Sequence, residues 1–268
     1  MITKNTVVAL ALLAAFSAPV LAQTAAPAAP AAPAAPASPH TFTGNVTLAS
    51  DYIFRGISQT QHNPAIQGGF DYSHSSGFYA GTWASNVSWV RDTNMKTNNS
   101  MEWDFYGGYK LGLGDFTVDL GALHYYYPGD VVPGSKDTNS TELYAGVSWK
   151  FITLKYNHTI SKNLFGWYNF ATNKSSEGSG YWDLAANYDL GSGWGVQGHV
   201  GHQTIKNLGA ASYTDWKLGV SKDVGFGTVA LAYTGTDAKG NCASGQAYCW
   251  NNKNVGEDRV VLTFNKTF

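Results

Sequence analysis

Between Phe42 and Phe268, apolar and polar residues alternate with a period of two in twelve separate segments. In the first, 42–55, Phe42, Val46, Leu48, Tyr52 and Phe54 share one face, and Thr43, Asn45, Thr47, Asp51 and Arg55 share the other. Near 100–111, Met101, Trp103, Phe105 and Tyr109 oppose Glu102, Asp104 and Lys110. Near 180–190, Trp182, Leu184, Ala186, Tyr188 and Leu190 oppose Tyr181, Asp183, Asn187 and Asp189. The other segments fall near 64–73, 78–89, 116–127, 140–150, 152–161, 194–204, 213–223, 228–236 and 257–268. Side chains of a strand point alternately to its two faces, so each segment predicts a strand with one apolar and one polar side.

The connections alternate in length. Short ones lie near 74–77, 112–115, 151, 191–193 and 224–227; long ones near 56–63, 90–99, 128–139, 162–179, 205–212 and 236–256. Pro64, Pro128 and Pro133 all fall in polar connections, as hydrogen-bonded strands require. The pattern predicts an all-β, antiparallel up-and-down barrel of about twelve strands. Its two ends differ, and both termini sit at the end with short turns.

Alternation alone does not say which face is wet, and here composition matters. Only 13% of residues are charged, against about 25% in a soluble domain. That is a poor coat for a water-soluble barrel. Yet 44% are apolar and mean hydropathy is −0.20, which does not suit a helical membrane protein. Strand-interior charges stay on the polar face, as lipid on the other side demands, since a midplane Lys or Arg there costs about 2–4 kcal/mol. Trp83, Trp89, Trp149, Trp194 and Tyr233 gather towards segment ends like interfacial girdles. Some ten residues tilted near 45° span about 24 Å, the height of an outer-membrane apolar band. The prediction is therefore a transmembrane barrel with short periplasmic turns and long extracellular loops. A net charge of −1 offers no basic surface for nucleic acid.

Residues 1–22 pair a basic start at Lys4 with an apolar run and a Val20-Leu21-Ala22 end, the pattern of a cleaved secretory signal peptide. Residues 23–41 form an Ala/Pro-rich low-complexity leader, expected as an extended spacer of roughly 50 Å. It reads either as a disordered lead-in to the first strand or as a periplasmic tether. The barrel domain is expected at 42–268.

The stretch LASDYIFRGISQTQHNPAIQGGFDYSHSSGFYAGTWASNV, positions 48–87, resembles the opening block of the TorF family of porins, also called the Gcw_chp family. EWDFYGGYKLGLG at 102–114 and YWDLAANYDLG at 181–191 resemble later blocks. The resemblance covers about 42–268 and implies a Gram-negative outer-membrane barrel for passive transport. It carries over no catalytic or binding residue. The terminal Phe268, with alternating apolar residues before it, resembles the outer-membrane assembly signal, which implies the barrel-assembly machinery as a partner. Lys266 breaks that alternation, and its long side chain would reach water at the periplasmic edge.

The candidate pore-lining residues are the acids Asp51, Asp71, Glu102, Asp104, Asp119, Glu142, Asp183, Asp189 and Asp215 and the bases Arg55, Lys110, Lys150, Lys155, Lys217 and Arg259. Nine acids against six bases would favour cations slightly in an open pore. The competing reading is a lumen closed by side chains and ion pairs. Glu102 and Asp104 stand about 6.6 Å apart on one face, a spacing that suits acid/base work on a sugar. Alternating carboxylates arise in any such barrel, however, so no catalytic residue is assigned.

Cys242 and Cys249 lie in the longest loop, where an oxidising compartment favours a disulfide; a metal site lacks a Cys-x-x-Cys or a neighbouring His. His199 and His202, three apart on a strand, fall on opposite faces and do not make a ligand pair. No G-x-S-x-G, H-E-x-x-H or G-x-x-x-x-G-K-[ST] occurs. The sequence therefore points to no enzyme, no cofactor and no metal. It points to a channel in contact with outer-membrane lipid and small hydrophilic solutes. The alternative is a non-conducting barrel whose long surface loops bind a partner. No subunit contact, and so no oligomeric state, can be read from the chain.

Overall fold

The computed structural model describes residues 38–268; the signal segment 1–22 and leader residues 23–37 lie outside them. Twelve antiparallel strands close into one barrel: β1 (His40–Ala49), β2 (Ala65–His74), β3 (Phe78–Asn86), β4 (Met101–Leu113), β5 (Phe116–Tyr126) and β6 (Ser140–Trp149), then β7 (Ile152–Thr159), β8 (Gly180–Gly191), β9 (Trp194–Thr204), β10 (Tyr213–Asp223), β11 (Thr228–Thr236) and β12 (Arg259–Thr267). Each strand pairs with its chain neighbours, and β1 closes the ring on β12 through Asn45↔Thr267 to Ala49↔Thr263. Wall formation at His40 puts the first strand two residues ahead of the expected start.

The alternating pattern sorts as the physics of lipid requires. Phe42 is 74% exposed, Phe70 73% and Leu218 64%, all on the outside of the wall. Thr47, Gln67, Glu142 and Asp215, on the opposite faces, are buried inside it. An exterior of contiguous exposed apolar side chains suits lipid, not water. Among the described residues no helix is long and apolar enough to cross a membrane. The turns at one end are short, with left-handed backbone at Gly77, Gly114, Lys150, Gly191 and Ser192.

Inside, tyrosines replace the missing bulk of glycines. A Cβ at Gly121 would lie 2.4 Å from the Tyr144 hydroxyl and 2.6 Å from the carbonyl oxygen of Gly107. One at Gly201 would lie 2.0 Å from the Tyr181 hydroxyl. These inward glycines are what allow the rings to lie across neighbouring strands.

The apolar core sits in the end that carries the long loops. One buried cluster holds Tyr52, Trp89, Val90, Tyr125 and Tyr127; a second holds Ile57, Leu164, Ile205, Tyr213, Tyr248 and Val255. Several expected strands are shorter than the pattern implied. The wall strand ends at Asn86 instead of 89, where Trp89–Asp92 form one helical turn, and β7 ends at Thr159 instead of 161. The largest correction concerns 50–55. Expected to continue the first strand with Tyr52 and Phe54 facing lipid, this stretch leaves the wall after Ala49 and turns inward. Tyr52 is 1% exposed. Its apolar residues alternate because they form a second, internal hairpin, not because they meet lipid.

Candidate functional site

The inward segment is the element around which the lumen is organised. Ile53–Phe54 pairs with Ile57–Ser58, and the turn between them is left-handed at Arg55 (φ 48°) and Gly56 (φ 77°). A Cβ at Gly56 would meet Thr236 Cγ2 at 2.3 Å and Asp215 Cβ at 2.6 Å. The tip is thus pressed against the wall at β10 and β11, and glycine is required there for contact as well as conformation.

Arg55 fixes the tip. Its guanidinium donates to Glu142 Oε1 at 3.0 Å and Oε2 at 2.6 Å, and to Gln203 Oε1 at 2.6 Å. It also lies over the Tyr181 ring, 4.3 Å from its centroid. The planar fork satisfies both carboxylate oxygens, which a buried ion pair needs if it is to offset its desolvation. Farther out, Asp51 accepts from Ser58 Oγ at 2.7 Å and Thr60 Oγ1 at 3.0 Å and pairs with Arg259 Nε at 3.0 Å. Burial pushes the Asp51 carboxyl above its ordinary value despite these partners. Burial, and next the Arg259 charge, hold His62 below the ordinary histidine range.

This hairpin divides the interior into two chambers, and Phe54 is the one described residue that lines both. The inner chamber, about 140 Å³, lies on the side of β5–β12 and has ionisable side chains in its walls: Arg55, Asp119, Lys155, Asp183, His199 and Lys217 all line it. The outer chamber, about 80 Å³, is lined by loops and strand ends and has no charged side chain in its walls.

The residues assigned to the polar face fall into distinct settings. Asp51, Arg55 and Arg259 belong to the hairpin and its seat. Glu142 and Asp215 are fully buried behind it. Glu102 and Asp104 are closed off beneath Tyr52, whose hydroxyl donates to Glu102 Oε1 at 3.1 Å. Asp71 and Asp119 accept from the hydroxyls of Tyr106 (2.5 Å) and Tyr79 (2.6 Å). Lys110 lies over the Tyr79 ring and Lys155 over the Tyr144 ring, at 4.9 and 3.8 Å.

Two residues lie at the short-turn rim. Lys150 occupies the tight turn after β6, exposed, with Nζ 4.5 Å from the centre of the Trp149 ring. Asp189 is exposed near the short-turn end of β8, where it accepts from Gly191 N at 2.7 Å. The polar face of the strands thus carries charge as far as the rim.

His199 was not among the candidates. Its Nδ1 lies 3.0 Å from Asp183 and its Nε2 3.3 Å from Asp215, so it ties two lumen acids together. Its position on the polar face of β9, across from Lys217, was the available signal. His202 points the other way and is exposed. Among the described residues no His/Cys/Asp/Glu group is arranged to hold a metal ion. Cys242 and Cys249 are joined in a disulfide in the longest loop, with Cα atoms 5.1 Å apart.

The sequence profile of the Gcw_chp family, described as a bacterial protein of unknown function, matches residues 33–268. That description does not include the TorF name. Among curated proteins, none matches the sequence. Among solved structures, the chain is similar to the KdgM porin in complex with disordered oligogalacturonate, with a TM-score of 0.50 at 5% identity over 85% of this chain and 98% of that one. It is also similar to the NanC porin (TM-score 0.49, 13% identity, 85% and 99% covered) and to OprD from Pseudomonas aeruginosa (0.38, 11%, 77% and 59%).

Proposed function

This chain belongs to the Gcw_chp family, and we propose that it is an outer-membrane channel through which small hydrophilic solutes diffuse down their gradient, narrowed by the inward hairpin of residues 50–64. The observation that carries this reading is a closed barrel with an apolar exterior and a charged chamber inside it. KdgM, a porin of the same fold, is described with oligogalacturonate, a hydrophilic ligand, and that agrees with the proposal.

The route runs from the outer chamber past Phe54 and Arg55 into the inner one. Energy coupling plays no part; flux follows the gradient, and the inner chamber supplies polar groups that replace solute hydration. Arg55, Asp119, Lys155, Asp183 and Lys217 line the inner chamber, so they set ion preference, ahead of acids such as Glu102 that are sealed from it. The chain acts without chemistry on its solute. The C-terminal strand, ending at Phe268, is the segment through which assembly machinery would take hold of the barrel.

Liposome swelling tests the proposal. Proteoliposomes of the folded barrel should swell in small sugars and amino acids faster than protein-free vesicles, with rates that drop as solute size rises. Equal rates from a well-folded preparation point instead to a non-conducting barrel whose long loops meet a partner.

A further inference from the structure

A channel for hydrophilic solutes leaves the outer chamber unexplained. Its walls include Trp89, Tyr127, Phe165, Trp167, Tyr248 and Trp250, and none of its lining side chains carries a charge. An ion entering it would lose hydration with no fixed countercharge in return.

The polar atoms of the walls are mostly engaged within the protein. The Tyr248 hydroxyl donates to Ala211 O at 2.5 Å, Trp250 Nε1 to Ala247 O at 3.0 Å and Thr93 Oγ1 to Trp89 O at 2.8 Å. Gln203 is held by Arg55 on its oxygen and by Gly180 O on its nitrogen, and Tyr127 bonds Glu102. A sugar with many hydroxyls would leave water and find few partners. One donor stands apart: the indole N–H of Trp89, whose residue lines the chamber, is buried with no acceptor among the described residues, and it reaches a ligand only if the ring turns.

What the walls do offer is ring surface in an edge-to-face network. Trp89 meets Tyr127 at 5.1 Å and 82°, Phe165 meets Phe54 at 5.7 Å and 89°, and Tyr248 meets Tyr213 at 5.0 Å and 74°. A further flat ring extends such a network favourably. About 80 Å³ is roughly half the 150 Å³ of an apolar cavity that holds a benzene, so the chamber takes one small ring at most, and only as its walls give.

We propose that the outer chamber is a binding site for an uncharged single-ring aromatic compound bearing one hydrogen-bond acceptor, with phenol as the simplest example. The loops hold this site in the mouth of the barrel, and its occupancy blocks the path at Phe54.

Calorimetric titration of the full chain folded in detergent, corrected against empty micelles, tests the site independently of conduction. Phenol should bind saturably, and glucose and tetramethylammonium should not. Met95→Trp, which fills the chamber, should weaken phenol at least tenfold. Trp89→Phe keeps a ring and removes the donor; it should weaken phenol roughly three- to tenfold and leave toluene unchanged. Both variants are checked for folding by heat-modifiable gel mobility. Equal phenol uptake by wild type and Met95→Trp, should that variant fold, overturns the proposal. So does an unchanged phenol affinity in Trp89→Phe, or tighter binding of glucose or tetramethylammonium. Binding without solute flux would sink the channel and keep this site; flux without binding would do the reverse.

Discussion

The two chambers differ in what builds them as much as in what lines them. Strands make the inner chamber, and the pleat sorts its residues: each Lys or Asp that faces in has a neighbour such as Leu154 or Trp182 that faces lipid. Loops make the outer chamber, and its apolar residues, Tyr248 and Leu164 among them, are buried against each other and not against lipid. Hydrophobic residues in this chain therefore have two destinations. Those on the wall answer the membrane; those in the loops make an internal core that seats the hairpin. On the proposed reading the difference also separates two tasks, one region fixing charge along the path and the other narrowing its mouth.

That division is most easily broken at the tip between the chambers. In Arg55→Ala the Glu142 carboxylate loses its cation, a change that costs about 3–5 kcal/mol when the pair is buried. The hairpin should leave the lumen, and swelling rates in sucrose should rise several-fold. Unchanged rates in Arg55→Ala would mean that the hairpin is no barrier.

Next in size is the packing of the inner wall. Gly121→Ala places a methyl against Tyr144 and the Gly107 carbonyl, so urea unfolding should show a loss of about 1–3 kcal/mol. Gly112→Ala, where a Cβ meets nothing within 4 Å, should change little and serves as the control.

A smaller effect should be confined to the loops. Replacing Cys242 and Cys249 by Ser removes a cross-link of separation 7, worth about 2 kcal/mol to that loop. Protease cleavage within 237–258 should accelerate while barrel unfolding stays unchanged. Faster barrel unfolding would show that the two regions are not independent.

The smallest expected effect is on pH. His62 has its folded value lowered, so the unfolded or released loop binds the proton more readily, and seating weakens as pH falls below about 6.5. Asp51 has its value raised, so the seated loop binds the proton more readily, and seating strengthens as pH falls towards its ordinary range near 3.8. Conductance should therefore rise on mild acidification and fall back on stronger acidification, and His62→Gln should erase the first limb. A flat profile in the wild type would remove both groups from the seat.

Periodicity is a local signal, and what it could reveal follows from that. The strands were legible because lipid outside and polar groups inside impose a period of two on every wall segment, down to the opposite faces of His199 and His202. The hairpin was not, because Tyr52, Phe54 and Arg55 keep the same alternation after leaving the wall. The local mark of the change was Gly56, needed for a left-handed turn packed against Asp215 and Thr236. That Lys150 and Asp189 stand at the rim is not legible either, since alternation carries no information about height. The Arg55–Glu142 pairing joins residues far apart in sequence, and only closure of the barrel brings them together.

Single-channel recording in planar bilayers bears most directly on the central claim, a conducting barrel narrowed by its own first loop. The wild type should give small, reproducible steps, and a variant with 53–57 replaced by Gly and Ser should give steps several-fold larger. Silence from both, in preparations shown to be folded, would contradict it.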